Sequence, residues 1–280
     1  SHQVEGHTHN QWSVWELKVA SEQAKTAPER LSWLANYQDI KSQAENPENY
    51  ISGAGVEHYK RFEEDFDILK GLNLNAFRFG VEWSRIEPEE GQFDELAIEH
   101  YKNYILALKK RGIQPVINLW HWTMPVWFTN LGGFEKKDNL DYFMRFVEKI
   151  ADDIIVPCKY VITLNEPNVY TSLSYVIGQW PPQHKSPIRG LVVFYNLAAL
   201  QKRIYKLLKS KDNNLQIGVA AQLANAQPAR KNHPIDWLVC KASAYFWNWW
   251  WLNRIKKHQD FVGFNYYFTD YYKNFGKANP

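Results

Sequence analysis

The segment Thr163-Leu164-Asn165-Glu166-Pro167 is where the sequence comes closest to specifying a chemistry. A glutamate placed directly after an apolar run, with Asn before it and Pro after it, is aimed by a rigid turn, and turns at strand ends are common carriers of function. The functional reading is a general acid/base set in a partly dry pocket. The competing reading is an exposed glutamate in an ordinary strand-to-helix turn.

Further polar and aromatic clusters close other apolar runs: Glu82-Trp83-Ser84-Arg85, Trp120-His121-Trp122, and Asn265 with Tyr267. Trp120-His121-Trp122 offers flat apolar faces beside an imidazole, which suits a ring with an apolar face and a rim of hydroxyls, the make-up of a sugar. Arg78, Gly80 and Glu82 share one parity and so one side of a strand. If that side is interior, Arg78 needs a carboxylate partner, because an unpaired buried charge is costly, and Glu82 could supply a purely structural pair. His7-Thr8-His9 has the look of a metal pair, but no acidic or thiol ligands accompany it, so no metal and no cofactor are expected. The run Tyr245-Phe-Trp-Asn-Trp-Trp-Trp-Leu252 has the composition of a membrane-interface anchor. Its expected role is instead to pack on the core and line a pocket mouth.

The elements that must hold these residues alternate. Strands are expected at 76–81, 115–119, 160–164, 216–221 and 261–267, and between them run helical patterns at 56–70, 97–111, 140–150 and 190–208. Ile98, Tyr101, Ile105 and Leu108 recur at three and four residues, and Gly112 follows as a C-terminal cap. Every strand but the fourth ends in a chemistry-bearing cluster. Chemistry collected at the ends of successive strands, with neither GxGxxG nor GxxxxGK[ST] anywhere, points to an α/β fold of the (β/α)8 barrel type and away from a nucleotide-binding doubly wound sheet. Only five strands are recognisable, so the barrel is expected to be incomplete. The chain reads as one partial barrel domain over 1–280, with 7–52 as a long irregular loop region.

The 280 residues fit that size class, and 13 Trp, 16 Tyr and 15 Phe supply a large core. The 33 basic and 30 acidic residues are interspersed, which argues against a nucleic-acid footprint. Cys158 and Cys240 stand alone and read as reduced, partly buried thiols. With no signal-like start and no membrane-length apolar run, a cytoplasmic protein without membrane contact is expected.

Taken together, these motifs resemble glycoside hydrolase family one, the β-glucosidase family. Ser1-His-Gln3-Val-Glu5-Gly6 resembles its first-strand exit, Arg78-Phe-Gly-Val-Glu-Trp-Ser-Arg85-Ile its second strand, and Trp120-His121-Trp122-Thr-Met-Pro125 its third. Thr163 to Pro167 resembles its acid/base motif and Gly263-Phe-Asn265-Tyr266-Tyr267 its sixth strand. The resemblance implies a retaining β-glycosidase, with Glu166 as acid/base and Asn165 on the sugar 2-hydroxyl. It further implies Gln3, His121, Trp122 and Asn265 as substrate-binding residues, and Arg78 and Tyr267 as residues positioning a nucleophile. The two carboxylates of such an enzyme stand about 5–5.5 Å apart. The family's nucleophile sits in an Ile/Thr-Glu-Asn-Gly tetrapeptide that this sequence does not contain, so strands two to six are recognisable and the nucleophile-bearing part is not. The alternatives are an inactive truncated barrel acting as an associating scaffold, or a binder of sugar or a planar apolar ligand. Open edges at 76–81 and 261–267, with inward residues such as Phe77, Val116 and Ile162 uncovered, lead to the expectation of self-association or of a partner segment supplying the missing strands.

Overall fold

A computed structural model of the chain describes residues 2–6 and 9–278. His7 lies outside the described residues, and with it the His7-Thr8-His9 pair. The chain divides into two compact units, Ser1–Gln114 with Thr123–Leu131, and Pro115–Trp122 with Gly132–Pro280.

The first unit opens with helices α1 (His2–Glu5), α2 (Gln11–Lys25), α3 (Ala27–Arg30) and α4 (Tyr37–Ala44). The stretch expected to be irregular loop is therefore mostly helical. Asn10 caps α2 by accepting from the N–H groups of Trp12 and Ser13, while Ser13 Oγ returns a bond to the Asn10 backbone. The buried side of α2 is Trp12, Glu16, Ala20 and Ala24, a stripe at helical spacing that includes a carboxylate and small residues and so escapes a search for large apolar ones. Glu16 can be buried because Ser52 donates to both its oxygens, from N at 2.8 Å and Oγ at 2.7 Å.

Next come α5 (His58–Gly71), β1 (Ala76–Gly80), α6 (Trp83–Ile86), α7 (Glu95–Lys110) and α8 (Val126–Asn130). Asp94 caps α7 by accepting from Leu96 N and Ala97 N, and Gly112 closes it at φ +71°, a left-handed position that suits a residue without Cβ. Phe66, Tyr101, Ile105 and Leu108 are buried between these helices, each worth about 1.5–3 kcal/mol of apolar burial.

The second unit carries the parallel sheet. Strands β2 (Gln114–Asn118), β3 (Tyr160–Asn165), β4 (Gln216–Gln222) and β6 (Phe261–Asn265) hydrogen-bond side by side, all parallel. Helices α9 (Leu140–Ile150), α10 (Pro167–Thr171) and α11 (Pro187–Lys211) connect them, followed by α12 (Pro234–Ala244), a π-helical turn at Tyr245–Trp249 and α13 (Trp250–Ile255). A small second sheet joins β5 (Asn225–Pro228), β7 (Thr269–Lys273) and β8 (Gly276–Lys277). Phe143, Phe146, Val147 and Ile150 of α9 and Val193, Leu197, Leu200 and Ile204 of α11 are fully buried. Gly218 allows β6 to close on β4, since a Cβ there would stand 2.3 Å from Phe261 O. Cys158 and Cys240 are buried outright. Of the inward residues expected to be uncovered, Phe77 and Val116 are half-buried and Ile162 is buried, while on the edge strand β6 Val262 and Phe264 are exposed.

Candidate active site

Glu166 stands at the carboxyl end of β3 in a left-handed conformation, φ 46° and ψ 59°, with Pro167 opening α10 behind it. Such a backbone costs about 1–3 kcal/mol for a non-glycine residue and persists only where neighbours over-determine it. Its N–H donates to Ala220 O of β4 at 2.7 Å, and Asn165 N donates to Trp120 O at 3.0 Å. The turn is thereby bolted to the strands on both sides. Glu166 is 3% exposed, so its carboxylate must be satisfied internally. Oε1 accepts from Asn265 Nδ2 at 2.6 Å and Tyr267 Oη at 3.3 Å. Asn265 Nδ2 also lies 3.4 Å from Asn165 Oδ1.

Trp122 is a second left-handed residue, φ 73°, and its indole N–H donates to Asn165 O at 2.9 Å. Its ring packs against Trp180 at 4.5 Å and against His121 at 4.8 Å. Both rings of the His121-Trp122 pair are half-buried. Below them Trp120 is buried with its edge on Tyr170, whose phenol burial pushes far above the usual range.

The second unit thus brings Asn165, Glu166, Asn265 and Tyr267 together, with Trp122 bonded to Asn165 O and His121 packed on Trp122. Two details differ from the roles implied by resemblance. Tyr267 reaches Glu166 itself, and the Trp122 N–H is engaged with the backbone. Gln3 and Arg78 belong to the first unit. Gln3 is exposed on α1, and Arg78 is exposed on β1, so the condition under which it would need a partner for a buried charge is not met. Glu82 is buried, and its carboxylate accepts from Ser84 Oγ at 2.8 Å and Thr123 Oγ1 at 2.9 Å. Glu5, also buried, accepts from Tyr101 Oη at 2.9 Å with Arg85 at 3.6 Å, and burial pushes its pKa up.

Sequence reading missed Gln222 and Asn168, and placed Trp247 only in the run expected to line a pocket mouth. The fourth strand does end in a polar residue: Gln222 Oε1 accepts from Trp247 Nε1, and Asn168 Nδ2 donates to Gln222 O at 2.7 Å. Asn168, directly after Glu166-Pro167, was the legible signal. Among the described residues no group of three or more His, Cys, Asp or Glu could hold a metal ion.

A parallel sheet whose strands are connected by helices, with a glutamate on a strained turn at its carboxyl edge, places the chain in the β/α-barrel class. Residues 29–257 match the model of glycosyl hydrolase family 1, and the chain belongs to that family. It is 32% identical to β-glucosidase A of Acetivibrio thermocellus over 185 residues, which is 65% of this chain and 41% of that protein. It is 26% identical to β-glucosidase A of Thermotoga maritima over 77% of this chain and 49% of that one. Among solved structures, a β-glycosidase from Pyrococcus horikoshii superposes with a TM-score of 0.80 at 29% identity, covering 97% of this chain and 60% of that one. The fold is an incomplete (β/α)8 barrel, and the chain spans about half the length of the curated relatives it matches.

Proposed function

We propose that the chain carries the acid/base half of a retaining β-glycosidase acting on β-linked glucosides. The observation that supports this is Glu166, held in a left-handed turn at a strand's carboxyl edge, with amide and phenol donors on one oxygen and an aromatic pair alongside. In that mechanism the acid protonates the leaving oxygen and later, as base, activates water against the glycosyl-enzyme. Asn265 and Tyr267 hold Oε1, which leaves Oε2 as the oxygen to exchange the proton. Trp122 and Trp180 supply an apolar wall for a ring. The second carboxylate is not assigned: Glu5, Glu16 and Glu82 are each taken up by the hydrogen bonds described above.

The test supplies the nucleophile from outside. With azide present, the chain is expected to convert an activated aryl β-glucoside to the α-glucosyl azide, and to show no more than trace hydrolysis without it. Glu166→Gln is expected to cost far more on a poor leaving group than on an activated one, because an activated group needs little protonation. Equal losses on both would remove Glu166 from this role.

A further inference from the structure

Helix α11 presents an unusual outer side. Ile188, Leu191, Val192 and Tyr195 follow one another at three and four residues, and all are exposed, Ile188 at 77% and Leu191 at 49%. An amphipathic helix normally turns such a stripe inward, and α11 already does so with Val193, Leu197 and Leu200. The outer stripe is continuous with other exposed apolar side chains. A groove of about 260 Å³ runs between it and the Trp-rich turn, lined by Leu191, Phe194, Phe246 and Trp247 on its apolar side and by Asn168 and Ser172 on its polar side. Phe246 and Trp249 are themselves exposed at 62% and 52%. Arg254 bridges the two elements, donating to Tyr195 Oη at 2.9 Å while lying 3.8 Å from the Trp250 ring centroid.

The same side turns basic further along. Lys202 and Lys206 continue the line of Ile188 and Tyr195 at helical spacing, and neither has an ion pair among the described residues. They and Lys257 stand close enough to His258 to add to the effect of burial in lowering its pKa. Neither α11 nor the stretch 237–259 contains a single acidic residue, although acidic and basic residues are interspersed in the chain as a whole. Four acidic residues that other elements bring to α11 are already taken, Glu135 by Arg189, Asp141 by Arg203, Asp152 by Lys211 and Asp260 by Lys209, and Glu148 of α9 also faces Lys211 at the far end of the helix.

We propose that this face of α11 and the Trp-rich turn docks on the surface of an anionic lipid bilayer, its aromatic and aliphatic side chains entering the headgroup boundary and its lysines meeting anionic headgroups. Contiguous exposed apolar surface marks an interaction site, and the flanking unpaired cations select a negatively charged partner. Trp, Tyr and Phe beside Lys and Arg suit the bilayer interface, where one end of a side chain is apolar and the other wet. Among the described residues no helix is long and apolar enough to cross a membrane, so the contact is peripheral. Ile188, Leu191 and Val192 point to lipid over nucleic acid, since aliphatic side chains do not stack on bases.

The experiment is co-sedimentation of the chain with phosphatidylcholine vesicles, with and without a minority of phosphatidylglycerol. Binding is expected only to the anionic vesicles, with a blue shift of tryptophan emission. The Lys202→Glu, Lys206→Glu pair is expected to weaken it about tenfold or more, and Ile188→Ser with Leu191→Ser to abolish the blue shift. Lys109→Glu with Lys110→Glu, on the first unit, controls for general charge and should leave binding intact. Lys202 is half-buried and the other replaced side chains are exposed, and unchanged melting by circular dichroism confirms folding. Equal binding to neutral vesicles, loss of binding in the Lys109/Lys110 control, capture of a single-stranded oligonucleotide without vesicle binding, or a dimer dispersed by Ile188→Ser without vesicle binding would each overturn the proposal.

Discussion

The side-chain amide of Asn265 donates to Glu166 Oε1 at 2.6 Å, joining residues 99 positions apart in sequence. The bond ties the last strand of the parallel sheet to the turn after β3. Hydrogen bonds to a buried charged group are worth about 1.5–3 kcal/mol, more than neutral ones. Asn265→Ala is therefore expected to lower azide-supported turnover of a poor leaving group by about 10–100-fold. Tyr267→Phe, which removes a longer bond at 3.3 Å, should cost about fivefold or less. The ratio of the two kcat/KM losses is the measurement, and a larger loss for Tyr267→Phe would reverse the assignment of the principal donor.

Gly218 sets the distance between the strands that bring these two residues together. A methyl group there would meet Phe261 O at 2.3 Å and the Phe261 ring at 2.8 Å, so β6 must shift away from β4. Gly218→Ala is expected to destabilise by about 1–3 kcal/mol through overpacking. Because Asn265 is carried by β6, the same change should cost activity along with stability. Denaturant unfolding in parallel with the azide assay reads both.

His100 carries a pH dependence of the first unit. Its ring stacks on Tyr59 at 3.6 Å, and burial, followed by the charges of Arg85 and His58, lowers its pKa to about 4. Between the unfolded value of about 6.5 and about 4 the unfolded chain holds more proton than the native one, so stability falls as pH falls through that window and levels off below it. His100→Phe, which keeps the stacked ring, should flatten the melting-temperature profile between those limits. An unchanged slope would show that another group carries it.

Asp236 is fully buried and accepts from Arg230 Nε at 3.0 Å, Arg230 Nη2 at 2.8 Å and Asn274 N at 2.8 Å. The Arg230 guanidinium holds its carboxyl well below the usual range, against the pull of burial. A depressed carboxylate contributes stability that is fully present above the unfolded value of about 3.9 and is lost as pH falls toward the native one. Asp236→Asn should lower the melting temperature at neutral pH, with the gap to the parent narrowing in acid below pH about 4. It clips β5 and α12 to the turn between β7 and β8, so hydrogen exchange should rise there first.

The parallel strands were legible in the residues alone. Each is a short apolar run, β3 and β4 are buried nearly throughout, and β2 and β3 are followed by helices whose apolar side chains repeat at three and four residues. Asn165-Glu166-Pro167 declared a turn at the end of β3 because a proline after a glutamate restricts the backbone locally. The helices of 11–44 were not legible, since beyond Trp12 and Tyr37 their buried stripes use alanine, serine and a carboxylate. Their burial depends on partners supplied from elsewhere in the chain, as Ser52 supplies Glu16.

What the linear order determined was therefore everything that depends on neighbours within a few residues: element type, caps, the turn at Glu166 and the family. What only the tertiary structure decided depends on distant pairing. It left Arg78 exposed on the face of β1 opposite Phe77 and Phe79, gave Glu166 its donors from β6 and the residues just after it, engaged the Trp122 N–H with Asn165 O, and placed the apolar stripe of Ile188 to Tyr195 on the outside of a helix whose other side was already buried. Helical periodicity says that residues share a face, and only the packing of the other elements says which face meets water.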